Sequence, residues 1–319
     1  MRLVPADGPL LEEVLDLTHS LWGDGLTRAA YARWNGAQLR TRWGREHLVR
    51  VALVDDDGRL LATAKRYRFN ARIDGREGFI SGLAAVFVPP GQRGRGYATA
   101  LVDQLVDQER RAGALAAVLF AEIDPSFYER LGFQRVPINE VTVNVLVKGG
   151  SPAMLVRAGD ERDLPDIAAM DRVRSATARF ALRRDVSLIQ YSIAKKRIQA
   201  GLGPPELRQV EFFVAEEGAS AVAYLLLSVS RYGWTLEEAG DRDPAGARLG
   251  AMLQVLAARE PSHALPLIRT WWPRSFLVPP QWHMTDRRDA RDVLMVRPFI
   301  ELLPPLTADD VFYWRSDYF

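Results

Sequence analysis

The sequence contains no cysteine, which excludes disulfide bonds, a thiolate nucleophile and a cysteine-ligated metal, and fits a reducing compartment. Histidine is scarce as well, and the four histidines are His19, His47, His263 and His283. No two of them have the i, i+4 spacing with which one helix face binds a metal ion, so we predict no metal site. The N-terminal residues do not resemble a signal peptide, and the longest apolar run, near residues 221–229, is too short to cross a bilayer. We therefore expect a cytoplasmic protein without a membrane partner.

Charge of one sign is not concentrated anywhere along the chain. Lys and Arg together number 42 and Asp and Glu number 40, for a formal net charge of +2. Basic and acidic residues are interspersed, and there is no basic tail, so nucleic-acid binding is not indicated. A length of 319 residues with 48% hydrophobic residues is typical of two globular domains. The oligomeric state, including a homo-oligomer, stays open at this level.

The two halves of the sequence show the same succession of predicted elements. Each half begins with a short strand and an amphipathic helix, at residues 3–21 in the first half and 155–173 in the second. A strand–turn–strand pattern follows, marked in the first half by Asp57-Gly58 between apolar runs. A further strand, a loop, a helix and a strand complete each half. The pattern predicts an α/β fold of the α+β mixed-sheet type, in which the order β-α-β-β-β-α-β occurs twice.

The predicted domains are residues 1–149 and residues 150–298, joined at a Gly-Gly-Ser-Pro linker at residues 149–152. Residues 299–319 form a C-terminal tail, and five of its last eight residues are aromatic. Because chain ends are usually polar unless they are held in place, we expect this tail to be buried.

A loop rich in glycine and arginine joins a predicted central strand to a predicted helix at residues 92–98. Gly94 and Gly96 let the backbone approach an anion closely. The helix N-terminus presents unpaired N–H groups and a partial positive charge, and Arg93 and Arg95 add guanidinium donors. These features together predict a pyrophosphate site. The loop matches neither the Walker P-loop nor the Gly-x-Gly-x-x-Gly pattern.

This loop resembles motif A of the GNAT acetyltransferase superfamily, Arg/Gln-x-x-Gly-x-Gly/Ala, through Arg93, Gly96 and Ala98. The pattern Phe-Tyr-x-x-x-Gly-Phe at residues 127–133 is similar to motif B of the same superfamily. The resemblance implies tandem GNAT folds, of which the first binds acetyl-CoA as cosubstrate. The residues that it assigns to this binding run from the end of the strand to the start of the helix: Val86, Phe87, Val88, Arg93, Gly94, Arg95, Gly96, Tyr97 and Ala98.

A closer resemblance is to the Eis (enhanced intracellular survival) group of tandem GNAT acetyltransferases. It rests on the segment at residues 82–98, on the repeated fold pattern and on the aromatic ending at Phe319. Members of that group carry a further C-terminal domain similar to sterol carrier protein, whereas only residues 299–319 follow the second half here. The resemblance implies a polyamine-like or aminoglycoside-like amine as the acceptor.

Acetyl transfer to an amine requires a base for the amine and a proton donor for the departing thiolate. In the superfamily that the chain resembles, the strand before the phosphate loop splays from its neighbour and offers backbone hydrogen bonds to the cofactor arm. Tyr128, at the motif-B tyrosine, is the predicted general acid. The base is either the terminal carboxylate of Phe319, as the Eis resemblance implies, or an acidic residue after the splayed strand, Glu122 or Asp124.

The second half has Asp241 and Asp243 where the first half has its phosphate loop, so we expect a degenerate copy without cofactor. The predicted function is transfer of an acetyl group from acetyl-CoA to a primary amine of a small molecule by direct attack. One alternative is a non-catalytic sensor that uses the GNAT fold to bind coenzyme A or another ligand. Another is a mycothiol-synthase-like acetyltransferase, in which the second copy usually carries the working loop. The intact first loop and Tyr128 favour the enzyme.

Overall fold

The computed structural model describes residues 1–146, 154–204, 206–230, 233–258, 267–273 and 276–319. The helices in these ranges are α1 (Gly8–Trp22), α2 (Arg28–Arg40), α3 (Arg42–His47), α4 (Tyr97–Arg111), α5 (Ser126–Glu129), α6 (Leu164–Ser175), α7 (Val186–Leu202) and α8 (Ala247–Ala258). The strands are β1 (Arg2–Pro5), β2 (Leu48–Val54), β3 (Leu60–Ile73), β4 (Arg76–Phe87), β5 (Ala116–Ala121), β6 (Gln134–Val136), β7 (Asn139–Val145), β8 (Leu155–Ala158), β9 (Phe180–Leu182), β10 (Gln209–Glu217), β11 (Ser220–Ser230), β12 (Gly233–Asp241), β13 (Ile268–Trp271), β14 (Trp282–Asp289), β15 (Val293–Pro298) and β16 (Val311–Phe312). The predicted linker at residues 149–152 lies outside the described residues.

The chain folds into two compact units, each built from separate stretches of sequence. Unit 1 consists of Met1–Val136, Arg291–Leu306 and Phe319, and unit 2 consists of Pro137–Ala290 and Thr307–Tyr318. The sequence-based division near residue 150 differs from these bounds because each unit includes a strand from the other half of the chain. Strand β15 belongs to unit 1 and β7 belongs to unit 2. Main-chain hydrogen bonds to distant strands hold both, and such pairings leave no local signal in the sequence.

Unit 1 contains a mixed sheet with the strand order β1-β2-β3-β4-β5-β15-β6. Its one parallel pair is β4–β5, and the neighbouring pairs along this order are antiparallel. Helix α4 covers one face, where Leu101 and Leu105 pack with Leu53 of β2 and Leu119 of β5. The parallel connection from β4 through α4 to β5 therefore places the N-terminus of α4 at the carboxyl end of β4.

A buried carboxylate connects α4 to β3. Glu109, with a side chain 1% exposed, accepts a hydrogen bond from Nη1 of Arg66 at 3.1 Å and from Nε of Arg68 at 2.7 Å. Alternating β3 residues point to opposite faces, so Arg66 and Arg68 share the α4 face while Tyr67 and Phe69 face the other side. This ion triad fixes the helix along the strand next to β4.

Unit 2 contains a second mixed sheet, with the order β14-β7-β13-β12-β11-β10-β8. Its parallel pair, β12–β13, occupies the position that β4–β5 occupies in unit 1. The predicted mixed α/β fold class is therefore confirmed. Four of the described helices were not predicted: α2, α3 and α5 in the first half and α7 in the second. The apolar residues of α2 form no clear stripe, and those of α7 alternate with polar residues such as Gln190, Lys195 and Gln199, so neither shows the pattern of a surface helix.

The C-terminal aromatic segment is buried, as predicted, with Phe312, Tyr313 and Trp314 at most 3% exposed. Strand β16 pairs with β9 in parallel. In unit 2 this segment is also held by Arg184, whose guanidinium lies 3.0 Å from Asp317 Oδ2. The same guanidinium contacts Asp171 and Glu238, at 3.0 and 2.5 Å. Burial raises the pKa of Asp171 to about 6, and the charge of Arg184 opposes part of that rise.

Among the described helices, none is long and apolar enough to span a membrane.

Candidate functional site

The loop between β4 and α4 has the geometry of an anion site. Gly94 and Gly96 adopt positive φ angles of 77° and 79°, and an added Cβ at either would meet no atom within 4 Å. Gly96 is the N-cap of α4 and no side chain caps the helix, whose first turn contains no acidic residue. The first-turn N–H groups of an α-helix have no intrahelical acceptor, so those of Tyr97 and Ala98 are available to a bound anion.

Two arginines flank these N–H groups. Nε of Arg93 donates to the carbonyl oxygen of Val88 at 3.3 Å, and Nη1 of Arg95 donates to Oε1 of Gln92 at 3.2 Å. Within the described part of the chain, neither guanidinium has a carboxylate partner. Both side chains are exposed, and each keeps several N–H donors for an anion. The residue types predicted for the pyrophosphate site thus surround one helix terminus.

Strands β4 and β5 separate immediately beside this loop. Their parallel pairing runs from Ser81 opposite Ala117 to Leu83 opposite Leu119, while β4 continues to Phe87. On its other side β4 has a bulge against β3, where Ala85 has a positive φ of 49°. The β5-facing backbone groups of the last β4 residues are therefore left without a strand partner.

Of the three β4-end residues predicted to bind the cofactor, Val86 and Val88 are half-buried and Phe87 is buried. Phe87 is opposite Thr63 in the register of β3, whereas Val86 lies within the bulge. The edge of a strand that lacks a neighbour offers N–H and C=O groups for an extended ligand. The splay inferred from the resemblance is thus present in the strand register of unit 1.

Tyr128 lies on α5, a single turn that follows β5. Its ring packs edge-on against Phe127 and Phe133, with centroid distances of 5.0 and 6.0 Å. Burial raises the pKa of Tyr128 to about 12, and the negative charge of Glu122 adds to the rise. The phenol is therefore protonated at neutral pH. Its hydroxyl makes no hydrogen bond to any residue that the structure describes, so it is a donor without an internal acceptor.

The acidic base candidates differ in their surroundings. Asp124 Oδ1 accepts from the N–H of Ser126 at 3.0 Å, and Oδ2 accepts from its hydroxyl at 2.6 Å. These hydrogen bonds lower the pKa of the exposed Asp124 carboxyl, which makes it a weak base. Glu122 is exposed and lies close enough to act electrostatically on Tyr128. Of these two carboxylates, Glu122 is the better candidate.

The ring of Phe319 packs in unit 1 on the sheet face opposite α4. Its centroid lies 5.1 Å from that of Tyr67, 5.2 Å from that of Phe69 and 5.5 Å from that of Phe120. Tyr67 and Phe69 also stack with Trp43 of α3. The sequence identified Phe319 but not the rings around it, which come from an unpredicted helix and from strands distant in the chain.

The corresponding loop of unit 2 is filled by its own side chains. Gly246, with φ 68°, precedes α8 as Gly96 precedes α4. Asp241 accepts hydrogen bonds from the N–H of Arg248 at 3.0 Å and from the N–H of Asp243 at 2.8 Å. Asp243 in turn accepts from the N–H of Ala245 at 3.0 Å. Internal carboxylates thus bind the N–H groups that a phosphate would need.

Metal-binding clusters of His, Asp or Glu are not found in the ranges that the structure describes. The strand splay, the phosphate-type loop and the phenol of Tyr128 define unit 1 as a mixed α/β domain with a candidate anion site at a strand–helix junction. Residues 11–136 match the family model described as acetyltransferase (GNAT) domain. A search of curated protein sequences found no significant match.

Solved structures with similar folds cover most of this chain. A GCN5-related N-acetyltransferase from Kribbella flavida is 18% identical, with a TM-score of 0.66 over 93% of this chain and 70% of that one. A probable N-acyltransferase of unknown function from Enterococcus faecalis V583 is 12% identical, with a TM-score of 0.69 over 93% and 72%. The N-myristoyltransferase of Saccharomyces cerevisiae with bound myristoyl-CoA is 10% identical, with a TM-score of 0.57 over 100% and 85%. At these identities the similarity establishes the fold of the chain.

Proposed function

We propose that unit 1 transfers an acetyl group from acetyl-CoA to a primary amine of a small molecule. The observation that carries the proposal is the anion site at the N-terminus of α4, directly beside the unpaired edge of β4. A nucleotide pyrophosphate fits that site because Gly94 and Gly96 leave room for it and Arg93 and Arg95 have no counter-ion among the described residues. The match of residues 11–136 to the GNAT domain model supports the same assignment.

The residues at the splay account for the requirements of acyl transfer. The thioester supplies the activated acetyl group. The backbone groups at Val86 and the N–H of Val88 are suited to hold an extended amide-containing arm along β4, and one N–H there is suited to the thioester oxygen as it becomes negative. Tyr128 donates its phenolic hydrogen to the departing sulfur. Its raised pKa keeps that hydrogen in place over the whole neutral range.

The base is proposed to be Glu122 or the terminal carboxylate at Phe319. Glu122 is exposed beside Tyr128, so it can accept a proton from the incoming amine directly or through water. Phe319 is held by three aromatic rings in unit 1, which orders the main chain at that residue. Glu122→Gln tests the first candidate. A variant with two additional glycines after Phe319 moves the carboxylate of the second.

Unit 2 is proposed to bind no acetyl-CoA of its own, because Asp241 and Asp243 already occupy the N–H groups at its equivalent loop. Two bound carboxylates would also repel a pyrophosphate. The proposal therefore includes one acetyl-CoA site per chain. A cytoplasmic location is part of the proposal and rests on the sequence features alone.

Calorimetry with acetyl-CoA tests the anion site. We expect one site per chain, and Kd for Arg93→Ala/Arg95→Ala at least 10-fold weaker than for the intact protein, since two phosphate contacts are lost. Arg76→Ala is the matched control, because it removes an exposed guanidinium from the opposite end of β4. Equal loss of affinity in the control would contradict the assignment, as would the absence of any binding by the intact protein.

Release of the coenzyme A thiol with a panel of primary amines tests the chemistry. An enzyme releases thiol with at least one amine at a rate that depends on the amine concentration. Tight acetyl-CoA binding without amine-dependent release would instead identify a coenzyme A sensor.

A further inference from the structure

A cavity with a volume of about 420 Å³ opens on unit 2. It lies between the C-terminal half of α6, the loop after β12 and a short segment that precedes β14. Its lining includes Met170, Val173 and Arg174 of α6, Arg242 of the loop, and Phe276 with Leu277 of the short segment. Binding sites for small molecules are concave and usually have volumes of about 300–1,000 Å³. The cavity is therefore large enough for a small organic molecule.

The core of unit 2 supports the walls of this cavity. The ring of Phe276 packs edge-on against Trp272 and Trp314, with centroid distances of 5.5 and 5.7 Å. On the other wall, Met170 is 4% exposed and belongs to the apolar core that α6 shares with α7, β10 and β11. Both walls are thus fixed by residues behind them, and the cavity is formed before any ligand enters it.

Two large apolar side chains at the cavity are open to water. Val173 is 75% exposed and Leu277 is 61% exposed. Covering apolar surface is favourable because it removes that surface from water, and exposed apolar patches often mark sites of binding. These side chains therefore favour a ligand with an apolar body.

Arg174 places a positive charge on the wall of the cavity. Its Nε and Nη2 donate to the carbonyl oxygen of Asp241 at 3.3 and 3.2 Å, and Nη2 also donates to that of Asp243 at 3.4 Å. The guanidinium lies over the ring of Phe276, 4.6 Å from its centroid. Nη1 makes no hydrogen bond with any described residue and is not among the buried atoms that lack a partner, so solvent reaches it. Its two N–H groups are therefore available to a ligand.

The negative charges near the cavity are already bound. Asp241, which is 3% exposed, accepts from the N–H of Arg248 at 3.0 Å and from Nη1 of Arg248 at 3.2 Å. Nη2 of Arg242 donates to Oδ1 of Asp166 at 2.8 Å, and both of these side chains are partly exposed. Burial lowers the pKa of Arg174, but a guanidinium remains charged at neutral pH. Among the described residues, Arg174 is therefore left without a carboxylate of its own.

We propose that this cavity binds a small carboxylic acid, whose apolar body lies between α6 and Leu277 and whose carboxylate accepts hydrogen bonds from Nη1 of Arg174. Hydrogen bonds between a guanidinium and a carboxylate are strong because both groups are charged. The site is separate from the one proposed for acetyl-CoA in unit 1. A nucleotide does not suit it, because Asp241 and Asp243 occupy the N–H groups that a pyrophosphate would need.

Calorimetry with matched acids and alcohols tests the proposal. The acids are octanoate and 3-phenylpropionate, and the uncharged counterparts are 1-octanol and 3-phenyl-1-propanol. We expect at least one acid to bind at one site per chain, at least about 10-fold more tightly than its alcohol, since the charged hydrogen bonds are lost in the alcohol. Arg174→Met should remove this difference. Arg172→Met is the matched control, because Arg172 is an exposed arginine of the same helix that does not line the cavity.

A second variant covers the case in which Arg174→Met does not fold. Val173 is mostly exposed, so Val173→Glu should fold normally, while its carboxylate repels the acid and narrows the cavity. Unchanged acid binding in Val173→Glu overturns the proposal, as does equal binding of acids and alcohols, or no binding of either acid up to millimolar concentration. Arg93→Ala/Arg95→Ala should bind the acids like the intact protein. Weaker binding in that variant would assign the acids to unit 1 and also overturn the proposal, whether or not acetyl-CoA binds there.

Discussion

The ring of Phe319 lies directly against the α-carbon of Gly82. A Cβ atom added at Gly82 would lie 2.8 Å from Cζ of Phe319 and 2.8 Å from Cε2 of Phe69, closer than real contacts allow. Gly82 is opposite Tyr67 in β3 and Val118 in β5, in the last part of the sheet before β4 and β5 separate. The absence of a side chain at this position is what lets Phe319 reach the sheet beside the candidate site.

Gly82→Ala should displace Phe319 and lower the free energy of unfolding by about 1–3 kcal/mol, the usual cost of overpacking a core. We expect acetyl transfer to fall along with it if the main chain at Phe319 contributes to the site. Gly78→Ala is the matched control on the same strand, since its new Cβ meets only the flexible side chain of Leu115. Urea unfolding and thiol release measure both effects.

A double variant checks the cause. In Phe319→Ala the ring is gone, so adding Gly82→Ala should cost less than it does in the intact protein. Strictly additive losses would show that Phe69 alone, rather than Phe319, resists the new methyl group.

Tyr128→Phe should reduce kcat by about 100-fold or more, the usual contribution of a positioned proton donor, while the Kd for acetyl-CoA changes little. The phenylalanine keeps the edge-on packing with Phe127 and Phe133, so folding is preserved. Because the pKa of Tyr128 is raised to about 12, its loss of the proton should not limit the rate of the intact protein below pH 10. A kcat within threefold of the intact value would contradict the donor role and leave the ring with packing alone.

Glu109→Ala should destabilise the protein by about 1–3 kcal/mol, because it removes the buried carboxylate that the partly exposed side chains of Arg66 and Arg68 share. Glu129→Ala provides the comparison. Glu129 binds Arg135 at 2.6 Å, but both side chains are exposed, so its removal should have little effect. Chemical denaturation of both variants measures the difference, and similar losses would contradict the argument from burial.

Lys195 should make stability depend on pH. Burial, with the neighbouring charge of Lys196, lowers the pKa of Lys195 to about 7, whereas an unfolded lysine titrates near 10.5. Between these values the unfolded chain binds more protons, so this residue makes stability rise with pH. At about 1.4 kcal/mol per pKa unit, the rise amounts to a few kcal/mol.

Lys195→Met should remove this rise. Urea midpoints at pH 7 and pH 9 should differ less in the variant than in the intact protein, and the variant should be the more stable of the two at pH 7. The same pH difference in both proteins would show that Lys195 is not the titrating group. The Lys195→Met variant also lacks the hydrogen bond from Nζ of Lys195 to the carbonyl oxygen of Tyr318, at both pH values.

The local features of the candidate site could be predicted from the sequence because they depend on neighbouring residues. Gly94 and Gly96 adopt the positive φ angles that glycine favours. The first N–H groups of α4 have no intrahelical acceptor, as in any α-helix. The mixed α/β fold also followed from hydrophobic periodicity and from turns such as the one at Asp57-Gly58. Burial of the aromatic C-terminal segment followed from its composition.

The tertiary structure alone decided which strands complete each sheet and which side chains meet. The exchange of β7 and β15 and the contact of Phe319 with Gly82 both involve residues far apart in the sequence. Strand pairing and close packing are set by the whole chain at once, because their energy comes from surfaces that many elements share. The sequence shows which residues are apolar or charged. The fold determines which residues each of them contacts.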